Sequence, residues 1–256
     1  MHSHLPLSRR DAIAARLAQG QPVVAAALAK EFRISEDAIR RDLRALAAEG
    51  KCRRVYGGAL PLNSSLPMAV RIEQGVERKQ ALARAAVDLI EPDEFLFLDS
   101  GSTNLCLVSF LPENRGITLA ANSIDIAAAV MKRGDLPLIV VGGTVNLTVG
   151  GCVDASAIAS VERLNIDRCF IGACAISPTR GISVFDYADS IFKRALMKRS
   201  RSCVSMTTIE KLQERAPHRI AAPHDVNYLV VEHDTPIADT DALSDAGFSI
   251  VRANEP

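Results

Sequence analysis

The pattern of hydrophobic and polar positions divides the chain into an N-terminal part of short helices and a longer part in which strands and helices alternate. In the first part, apolar side chains recur at the spacing of helices that bury one face. This spacing predicts helices over residues 8–18, 22–32 and 36–49. Gly57 and Gly58, which follow a short basic segment, then predict the turn of a hairpin.

The third predicted helix separates its apolar residues from its basic ones. Ser35 is a favourable N-cap, and the acidic residues after it suit the positive end of a helix dipole. The apolar face consists of Ile39, Leu43, Leu46 and Ala47, and the arginines away from it are Arg40, Arg41 and Arg44. The arginine side is suited to phosphates and base edges. Taken alone, these arginines also fit ordinary surface ion pairs with Glu36 and Asp37.

The second predicted helix favours contact of the arginines with phosphates and base edges. Pro22 begins it, and a few residues join it to the arginine helix. Its apolar residues are Val23, Val24, Ala27, Leu28 and Phe32. Two short helices on a tight turn predict a helix-turn-helix. The first helix has a capping pattern of Ser8 and Asp11, and its Ile13 and Leu17 face inward. Together with the basic hairpin, this helix completes the outline of a winged helix-turn-helix.

Residues 35–59 resemble, nearly position for position, the DNA-binding signature of DeoR-type bacterial transcriptional regulators. The matching pieces are Ile-Arg-Arg-Asp-Leu at residues 39–43 and Arg-Val-Tyr-Gly-Gly-Ala at residues 54–59. The resemblance implies that double-stranded operator DNA is a partner. It assigns the DNA contacts to Ser35, Glu36, Arg40, Arg41 and Arg44, with Arg53 and Arg54 on the flanking backbone. Asp42 is interpreted as an acid that positions the helix, because an unpaired carboxylate near phosphates is unfavourable.

The pattern changes after a linker-like stretch rich in Pro, Asn and Ser, and the sequence predicts domains over residues 1–60 and 76–256 joined by a linker over residues 61–75. A helix over residues 74–89 precedes a series of short apolar runs separated by helical segments. The predicted strands cover residues 94–98, 117–121, 136–141, 169–172, 201–205, 227–231 and 249–251. Continuous apolar strands that alternate with helices predict an α/β domain around a mainly parallel sheet.

The best candidate ligand site follows the first of these strands, at residues 99–104. The sequence Asp-Ser-Gly-Ser-Thr-Asn leads into a predicted helix, and free N–H groups and hydroxyls at such a place bind anions. Gly101 permits the close turn. A well-capped strand-to-helix turn without a ligand explains the same residues equally well. The stretch lacks the lysine and the spaced glycines of nucleotide-binding loops, so neither ATP nor NAD is inferred.

This domain also resembles the DeoR-type effector domain, which is related in fold to ribose-5-phosphate isomerase. The resemblance implies a repressor that leaves its operator when a phosphorylated sugar or related metabolite binds. It places Asp99, Ser100, Gly101, Ser102, Thr103, Asn122, Ser123, Gly172, Lys193 and Lys211 at the effector. Without the family, Lys193 fits a solvated helix residue equally well. The chain departs from many relatives at residues 208–211, where Glu210 precedes Lys211 and is expected to reshape or weaken an anion site.

Composition supports a protein of two parts. The 256 residues, 48% of them hydrophobic, suffice for one small and one medium domain with a core. The formal net charge is zero, but residues 1–60 contain 11 Lys and Arg against 6 Asp and Glu, a balance of +5 that leaves −5 for the rest. The positive charge is therefore concentrated in the predicted helix-turn-helix.

The cysteines and the apolar runs predict no metal, no cofactor and no membrane contact. Six cysteines form no Cys-x-x-Cys pair and are interpreted as reduced core thiols, with a redox or metal pair of Cys169 and Cys174 as the weaker alternative. No apolar run approaches the roughly 20 residues that span a bilayer, and the N-terminus has no apolar signal core. A cytoplasmic protein is expected.

The sequence therefore favours a DNA-binding regulator and leaves two alternatives. One is a sugar-phosphate isomerase-like enzyme with an appended DNA-binding domain, in which Asp99, Asp186 or Asp189 acts as a general base. The other is a regulator that senses a nucleotide or a metal. Because operators are usually repeated sites, the regulator is expected to be a homo-oligomer, a dimer or a tetramer held together by the α/β domains.

Overall fold

The computed structural model describes residues 9–18, 21–61, 66–212 and 214–256. The chain forms two compact units, Met1–Leu66 and Pro67–Pro256, which we call unit 1 and unit 2. The cap predicted at Ser8 lies outside the described residues. In the described part of the chain, no helix is both long enough and apolar enough to cross a membrane.

Unit 1 consists of three helices and a small antiparallel sheet. Its elements are α1 (Arg9–Ala18), β1 (Val23–Val24), α2 (Ala25–Phe32), α3 (Glu36–Ala48), β2 (Arg53–Val55) and β3 (Gly58–Leu60). Helix α3 begins after Ser35, whose hydroxyl accepts a hydrogen bond from the amide of Ala38 at 3.3 Å. Its apolar residues Ile39, Leu43 and Leu46 are buried against those of α1 and α2.

The start of the second helix differs from the prediction. Val23 and Val24 form a strand that pairs with Ala59 and Gly58, and helix α2 begins only at Ala25. Ala27, which was placed on the inner face, is exposed, and Ala25 is buried in its place. The β-branched side chains favour the strand, but its partner lies far along the chain, where a local pattern gives no information about it.

The hairpin of strands β2 and β3 forms the wing that the sequence predicted. The strands pair in antiparallel register around a turn at Tyr56 and Gly57. The middle strand β3 also pairs with β1, and a Cβ atom on Gly58 would lie 2.1 Å from the carbonyl oxygen of Val23. A side chain at this position would therefore separate the wing from the strand that anchors it.

Unit 2 is an α/β domain. Its helices are α4 (Met68–Ile72), α5 (Val76–Val87), α6 (Ser102–Val108), α7 (Ile124–Arg133), α8 (Ala155–Val161), α9 (Tyr187–Lys198), α10 (Ile209–Leu212) and α11 (Ile237–Asp245). Its strands are β4 (Phe95–Leu98), β5 (Thr118–Ala121), β6 (Leu138–Val140), β7 (Val145–Asn146), β8 (Gly151–Cys152), β9 (Ile166–Phe170), β10 (Ala175–Ser177), β11 (Gly181–Val184), β12 (Ser200–Thr207), β13 (His218–Ala221), β14 (Tyr228–Val231) and β15 (Ser249–Arg252).

The main sheet has seven parallel strands in the order β15-β14-β12-β9-β4-β5-β6. Apolar side chains of β4 point alternately to two hydrophobic clusters, with Phe97 in one and Leu96 and Leu98 in the other. Helices therefore cover both faces of the sheet, as the continuous apolar strands predicted. Because parallel strands end at one edge, the segments after β4, β5, β9 and β12 lie beside one another.

Three features of unit 2 were not predicted from the sequence. A second sheet has the order β10-β11-β13, and β7 and β8 form a separate hairpin. Helix α4 lies inside the segment of residues 61–75 that the sequence assigned to a linker. Met68 on this helix is only 2% exposed, so α4 is packed as part of unit 2.

The cysteines of the described residues are free thiols. Four of them are buried, at Cys52, Cys152, Cys169 and Cys203. The Sγ atoms of Cys169 and Cys203, on neighbouring strands, are 3.2 Å apart, and burial together with this contact raises the pKa of the Cys169 thiol. Within the described ranges, no cluster of His, Cys, Asp and Glu has the arrangement of a metal site.

Candidate functional site

A buried ion cluster lies at the carboxyl edge of the main sheet. Asp99 follows strand β4 directly and is fully buried. Its Oδ2 atom accepts hydrogen bonds from the amide of Gly172 at 2.8 Å and from Nζ of Lys193 at 2.5 Å. Lys193 lies on α9 and is also 2.8 Å from a carboxylate oxygen of Asp189, one turn earlier on the same helix. The cluster thus ties the ends of two central strands to helix α9.

The charges of this cluster are strongly coupled. Burial lowers the pKa of Lys193, but the carboxylates of Asp189 and Asp99 outweigh that effect and raise the pKa above its ordinary value. Burial raises the pKa of Asp189 to about 6, against the attraction of Lys193. Lys193 is 2% exposed and therefore is not the solvated residue that the sequence alone allowed. At neutral pH the two carboxylates and one ammonium leave an excess of negative charge.

The loop after β4 is held by side chains of the neighbouring segments. Asn122, after β5, accepts a hydrogen bond from the amide of Ser100 at 2.9 Å and donates one to the carbonyl of Cys152 at 3.1 Å. Asn104 donates to the carbonyls of Asp99 and Phe170, both at 2.8 Å. Both amide atoms of Asn122 thus have protein partners, and a direct contact with an effector stays a prediction.

Several buried polar atoms at this edge have no hydrogen-bond partner within the described part of the chain, and three of them are oxygens of the predicted effector residues. They are Oδ1 of Asp99, Oγ of Ser100 and Oγ of Ser123. Their residues are 0%, 4% and 0% exposed. Leaving a buried polar atom unpaired costs about 1–3 kcal/mol, so a group that pairs with these atoms would be bound favourably.

The remaining residues of the predicted phosphate loop are also buried. Gly101 precedes α6 in an extended conformation and contributes no side-chain cap, and Ser102 and Thr103 form the first turn of the helix at 7% and 6% exposure. The first amides of a helix have no partner within it. The structure therefore brings Ser100, Gly101, Ser102 and Thr103 together with Asp99, Ser123, Gly172 and Lys193 at one edge.

Lys211 lies beside this cluster on α10. Burial lowers its pKa to about 8, and the positive charges of Arg71 and Lys193 act in the same direction. The neighbouring Glu210 is 63% exposed in its side chain and pairs with Arg78 at 2.7 Å. Arg78 also pairs with the buried carboxylate of Glu232 at 2.5 Å. The acid that was expected to weaken an anion site is therefore bound to an arginine.

Sequence reasoning missed two basic residues near this edge. Arg71, on α4, donates to the carbonyls of Thr148 and Val149 at 3.2 and 2.7 Å. Lys79, on α5, donates to the carbonyls of Arg71 and Gln74, and burial lowers its pKa to about 8. No motif marks either residue, because each is a single basic residue whose position depends on chain packing.

An open cavity lies at the opposite end of the sheet from the buried cluster. Its volume is about 350 Å³, and its lining includes Asn165, Asp167 and Arg201, around the starts of β9 and β12. It contains none of the predicted effector residues. Ligands of parallel sheets bind at the carboxyl ends of the strands, so the buried cluster remains the stronger candidate.

In unit 1, helix α3 presents its arginines on the outer surface. Arg41 and Arg44 are exposed, and Nε of Arg44 donates to the carbonyl of Arg40 at 3.3 Å. Arg40 pairs with Glu36 at 2.7 Å, which is the surface ion pair that the spacing also allowed. Ser35 is exposed and caps the helix. In the wing, Arg54 is exposed and Arg53 is half-buried.

The acid among these arginines has a partner on another helix. Asp42 accepts a hydrogen bond from Nε of Arg9 at 2.6 Å, and this pair joins α3 to α1. Arg16 on α1 pairs in the same way with Glu31 on α2. Asp42 therefore fixes the position of α3, as interpreted from the sequence.

Two family models match this chain. The DeoR-like helix-turn-helix domain matches residues 9–65, and the DeoR C terminal sensor domain matches residues 74–233. Helix α4 lies between the two matched ranges.

Curated relatives span nearly the same length. The chain is 25% identical over 220 residues to the glycerol-3-phosphate regulon repressor of Escherichia coli K12, covering 85% of this chain and 87% of that protein. It is 26% identical over 251 residues to the HTH-type transcriptional regulator GolR of Listeria innocua, covering 96% and 98%. It is 24% identical over 250 residues to the HTH-type transcriptional regulator GlpR of Haloferax volcanii, also covering 96% and 98%. These relatives are transcriptional regulators by name.

Among solved structures, the chain is similar to ribose 5-phosphate isomerase from Plasmodium falciparum. The identity is 17%, the TM-score is 0.38, and the match covers 54% of this chain and 53% of that one. A similarity at this level carries no conclusion about activity. The family models cover both units, and this chain therefore belongs to the DeoR family of helix-turn-helix transcriptional regulators.

Proposed function

We propose that this regulator is a repressor of carbohydrate metabolism genes and that a phosphorylated sugar or related metabolite releases it from operator DNA. The observation that carries the proposal is the set of unpartnered buried atoms of Asp99, Ser100 and Ser123. They lie at the carboxyl edge of the sheet, beside basic residues. A relative named as a glycerol-3-phosphate regulon repressor supports a phosphorylated effector.

On the DNA side, we propose that α3 enters the major groove and that the wing contacts the flanking backbone. Support comes from the exposed arginines of α3, the exposed Arg54 of the wing, and the excess of positive charge in residues 1–60. The proposed contacts are those of Ser35, Glu36, Arg40, Arg41, Arg44, Arg53 and Arg54. The effector must prefer the weakly DNA-binding state, since only differential affinity shifts a population.

We also propose a homo-oligomer that acts in the cytoplasm, where its DNA partner lies. Strand β6 is an edge of the main sheet, with unpaired backbone groups along one side. Large apolar side chains on and around β6 are exposed, namely Ile124, Met131, Ile139, Val140, Val145 and Leu147. A second copy that pairs with this edge would bury them and place two α3 helices on one DNA molecule.

The isomerase-like enzyme is the weaker proposal. Asp99 and Asp189, two of the carboxylates considered as a general base, are both held by Lys193. A proton acceptor needs a free carboxylate beside the substrate carbon. Turnover of sugar phosphates by the purified protein would revive this alternative.

Fluorescence anisotropy tests the proposal directly. The protein is titrated on DNA from upstream of its own gene, at a stated salt concentration, and then with sugar phosphates and their unphosphorylated forms. We expect a phosphorylated compound to release the DNA and its unphosphorylated form to have no effect. Specific DNA binding that no phosphorylated compound changes would contradict the effector assignment, and absence of DNA binding would contradict the regulator.

A further inference from the structure

Helix α4 contacts both the β7–β8 hairpin and helix α5. Met68, at its start, packs so closely on the β7–β8 hairpin that a Cβ atom on Gly150 would lie 2.5 Å from the Cβ of Met68. Arg71, near its end, donates from one terminal nitrogen to the carbonyls of Thr148 and Val149. Lys79 donates to the carbonyl of Arg71 from the other side. The helix is therefore fixed between the hairpin and α5.

The same hairpin lies against the predicted phosphate loop. A Cβ atom on Gly151 would lie 2.7 Å from the Cβ of Ser100 and 3.1 Å from its unpartnered Oγ. The amide of Cys152 donates to the carbonyl of Asn122 at 2.8 Å. Residues 148–152 thus contact Arg71 on one side and the loop after β4 on the other.

Arg71 keeps part of its hydrogen-bonding capacity unused. Its Nε is buried and has no hydrogen-bond partner within the described residues. This Nε–H is a donor left for an anion, and a hydrogen bond from a guanidinium to a phosphate oxygen is charge-assisted. Burial lowers the pKa of Arg71, and the carboxylates of Asp189 and Asp99 act in the opposite direction, which indicates that Arg71 lies near the buried cluster.

The charge balance of the cluster requires further cations for an anion to bind. Asp99 and Asp189 outnumber Lys193, and a phosphate added to these three groups alone would be repelled. When Arg71 and Lys211 are included, the net charge of the site becomes positive. Of these two, only the arginine keeps its full charge at every physiological pH.

We propose that Arg71 binds the phosphate group of the effector and so transmits occupancy of the site to helix α4. This inference rests on the proposed function, because it presupposes a phosphorylated effector. Helix α4 begins at the boundary of the two units, since unit 2 starts at Pro67 and α4 at Met68. A change in how tightly α4 is held therefore reaches the start of unit 2, to which unit 1 is covalently joined.

Binding of inorganic phosphate, measured by isothermal titration calorimetry, tests the contact. We expect Arg71→Gln to weaken phosphate binding at least about tenfold, because the variant loses a charge-assisted hydrogen bond. We expect Arg71→Lys to weaken it less, because lysine keeps the positive charge but lacks the planar guanidinium group. Arg163→Gln, a change at an exposed arginine of unit 2, is the matched control and should bind as the wild type does. Unchanged phosphate affinity in Arg71→Gln would overturn the proposal.

Hydrogen exchange tests the transmission and separates it from misfolding. We expect phosphate to increase the protection of the α4 amides in the wild type but not in Arg71→Gln. Arg71→Lys, which retains a cation, should show a partial increase. A wild type that binds phosphate without any change in α4 would overturn the transmission.

Anisotropy on operator DNA separates this proposal from the proposed function. If no phosphorylated compound releases the wild type, the proposed function fails, and the inference fails with it. If such a compound releases the wild type and Arg71→Gln at the same concentration, only the role of Arg71 fails. The expected result is that Arg71→Gln binds DNA normally and needs at least about tenfold more of that compound for release.

Discussion

At the scale of single residues, Lys193 shows what a sequence leaves open. Its neighbours along the chain, Arg194 and Lys198, suggest a solvated basic face, yet Lys193 is buried between Asp99 and Asp189. Asp99 is distant in sequence, so local patterns gave no sign of the pair. Losing one partner of a buried pair is costly, about 3–5 kcal/mol, which explains why such residues cannot change independently.

The loop after β4 was predicted as a phosphate site from its own residues, and that role stays a prediction. The small polar residues after β4 were predicted as a ligand site because strands of a parallel sheet end at one edge, and the family resemblance added the amide after β5. Their contact partners were not predicted. Asn122 holds the loop through the amide of Ser100, and Arg71, in a segment predicted as a linker, donates to the carbonyl of Val149. Such contacts depend on the order of the strands, which no local pattern specifies.

Lys211 predicts a pH dependence of effector binding. Its pKa is lowered to about 8 from an ordinary value of 10.5, so its charge is lost as the pH rises through 8. We expect phosphate affinity to fall more steeply between pH 7 and 9 in the wild type than in Lys211→Arg, because arginine remains charged. Calorimetric titration across this range checks the result.

Deprotonation of Lys211 is expected to lower phosphate affinity but to favour folding, and this difference provides a control. Because the folded protein binds fewer protons than the unfolded chain between pH 8 and 10.5, Lys211 makes folding more favourable as the pH rises through that interval. A loss of affinity above pH 8 is therefore not a loss of folded protein. Lys79 titrates near the same pH, and Lys79→Arg shows whether it contributes. Equal pH profiles for wild type and Lys211→Arg would contradict the role of Lys211.

At the scale of elements, segments with a long apolar period or a clear turn signal were predicted well, and short segments without either were not. Helix α3 and the wing follow from the spacing of apolar residues and from the glycines of the turn. Strand β1 and strands β10, β11 and β13 have only two to four residues, too few for a period to be visible. Their structure comes from pairing with distant segments, which tertiary contacts impose on weak local preferences.

Helix α3 predicts a specific change in DNA binding. Arg44 is exposed and donates to the carbonyl of Arg40, whereas the side chain of Arg40 is paired with Glu36. We expect Arg44→Ala to weaken operator binding and to reduce the slope of log affinity against log salt by about 1 if the side chain contacts phosphate. Anisotropy at several salt concentrations measures both quantities.

Two comparisons make this prediction specific. Arg180→Ala changes an exposed arginine of unit 2 and should leave DNA binding unchanged. Phosphate affinity of Arg44→Ala should equal that of the wild type, because the predicted effector residues lie in unit 2. A wild-type salt slope in Arg44→Ala would exclude a phosphate contact at this position.

At the scale of the whole molecule, the arrangement in two units was predictable, but its boundary was shifted. The change in composition after residue 60 indicated where the N-terminal pattern of short helices and a hairpin ends. The structure divides the chain after Leu66 and packs α4 into unit 2. Proline and polar residues near a boundary indicate a connection, but burial of Met68 decides which side a short helix joins.

The edge at β6 predicts how copies associate. We expect Val140→Lys, which puts a charge on this edge strand, to shift the protein toward monomers and to weaken operator binding while phosphate binding is retained. Val140 is 48% exposed, so the change should not disturb the core. Sedimentation velocity at micromolar concentration measures the mass.

A matched change elsewhere on the surface distinguishes this edge from others. Ile237 on α11 is 72% exposed and lies on the helix that packs beside β15, at the far edge of the sheet. Ile237→Lys should leave the mass unchanged. A wild type that is monomeric at micromolar concentration, or dissociation by Ile237→Lys alone, would contradict the proposed interface.

The sheet order has a consequence for how the protein is made. Unit 1 is complete once the chain has passed Leu66, whereas the edge that carries the candidate site needs β12 and Lys211. At roughly 5–20 residues per second, the ribosome adds the intervening chain in on the order of ten seconds, and domains fold as they emerge. A nascent or prematurely ended chain thus acquires its helix-turn-helix before it can acquire a receptor. A product that ends before β12 would carry the helix-turn-helix without a complete candidate effector site.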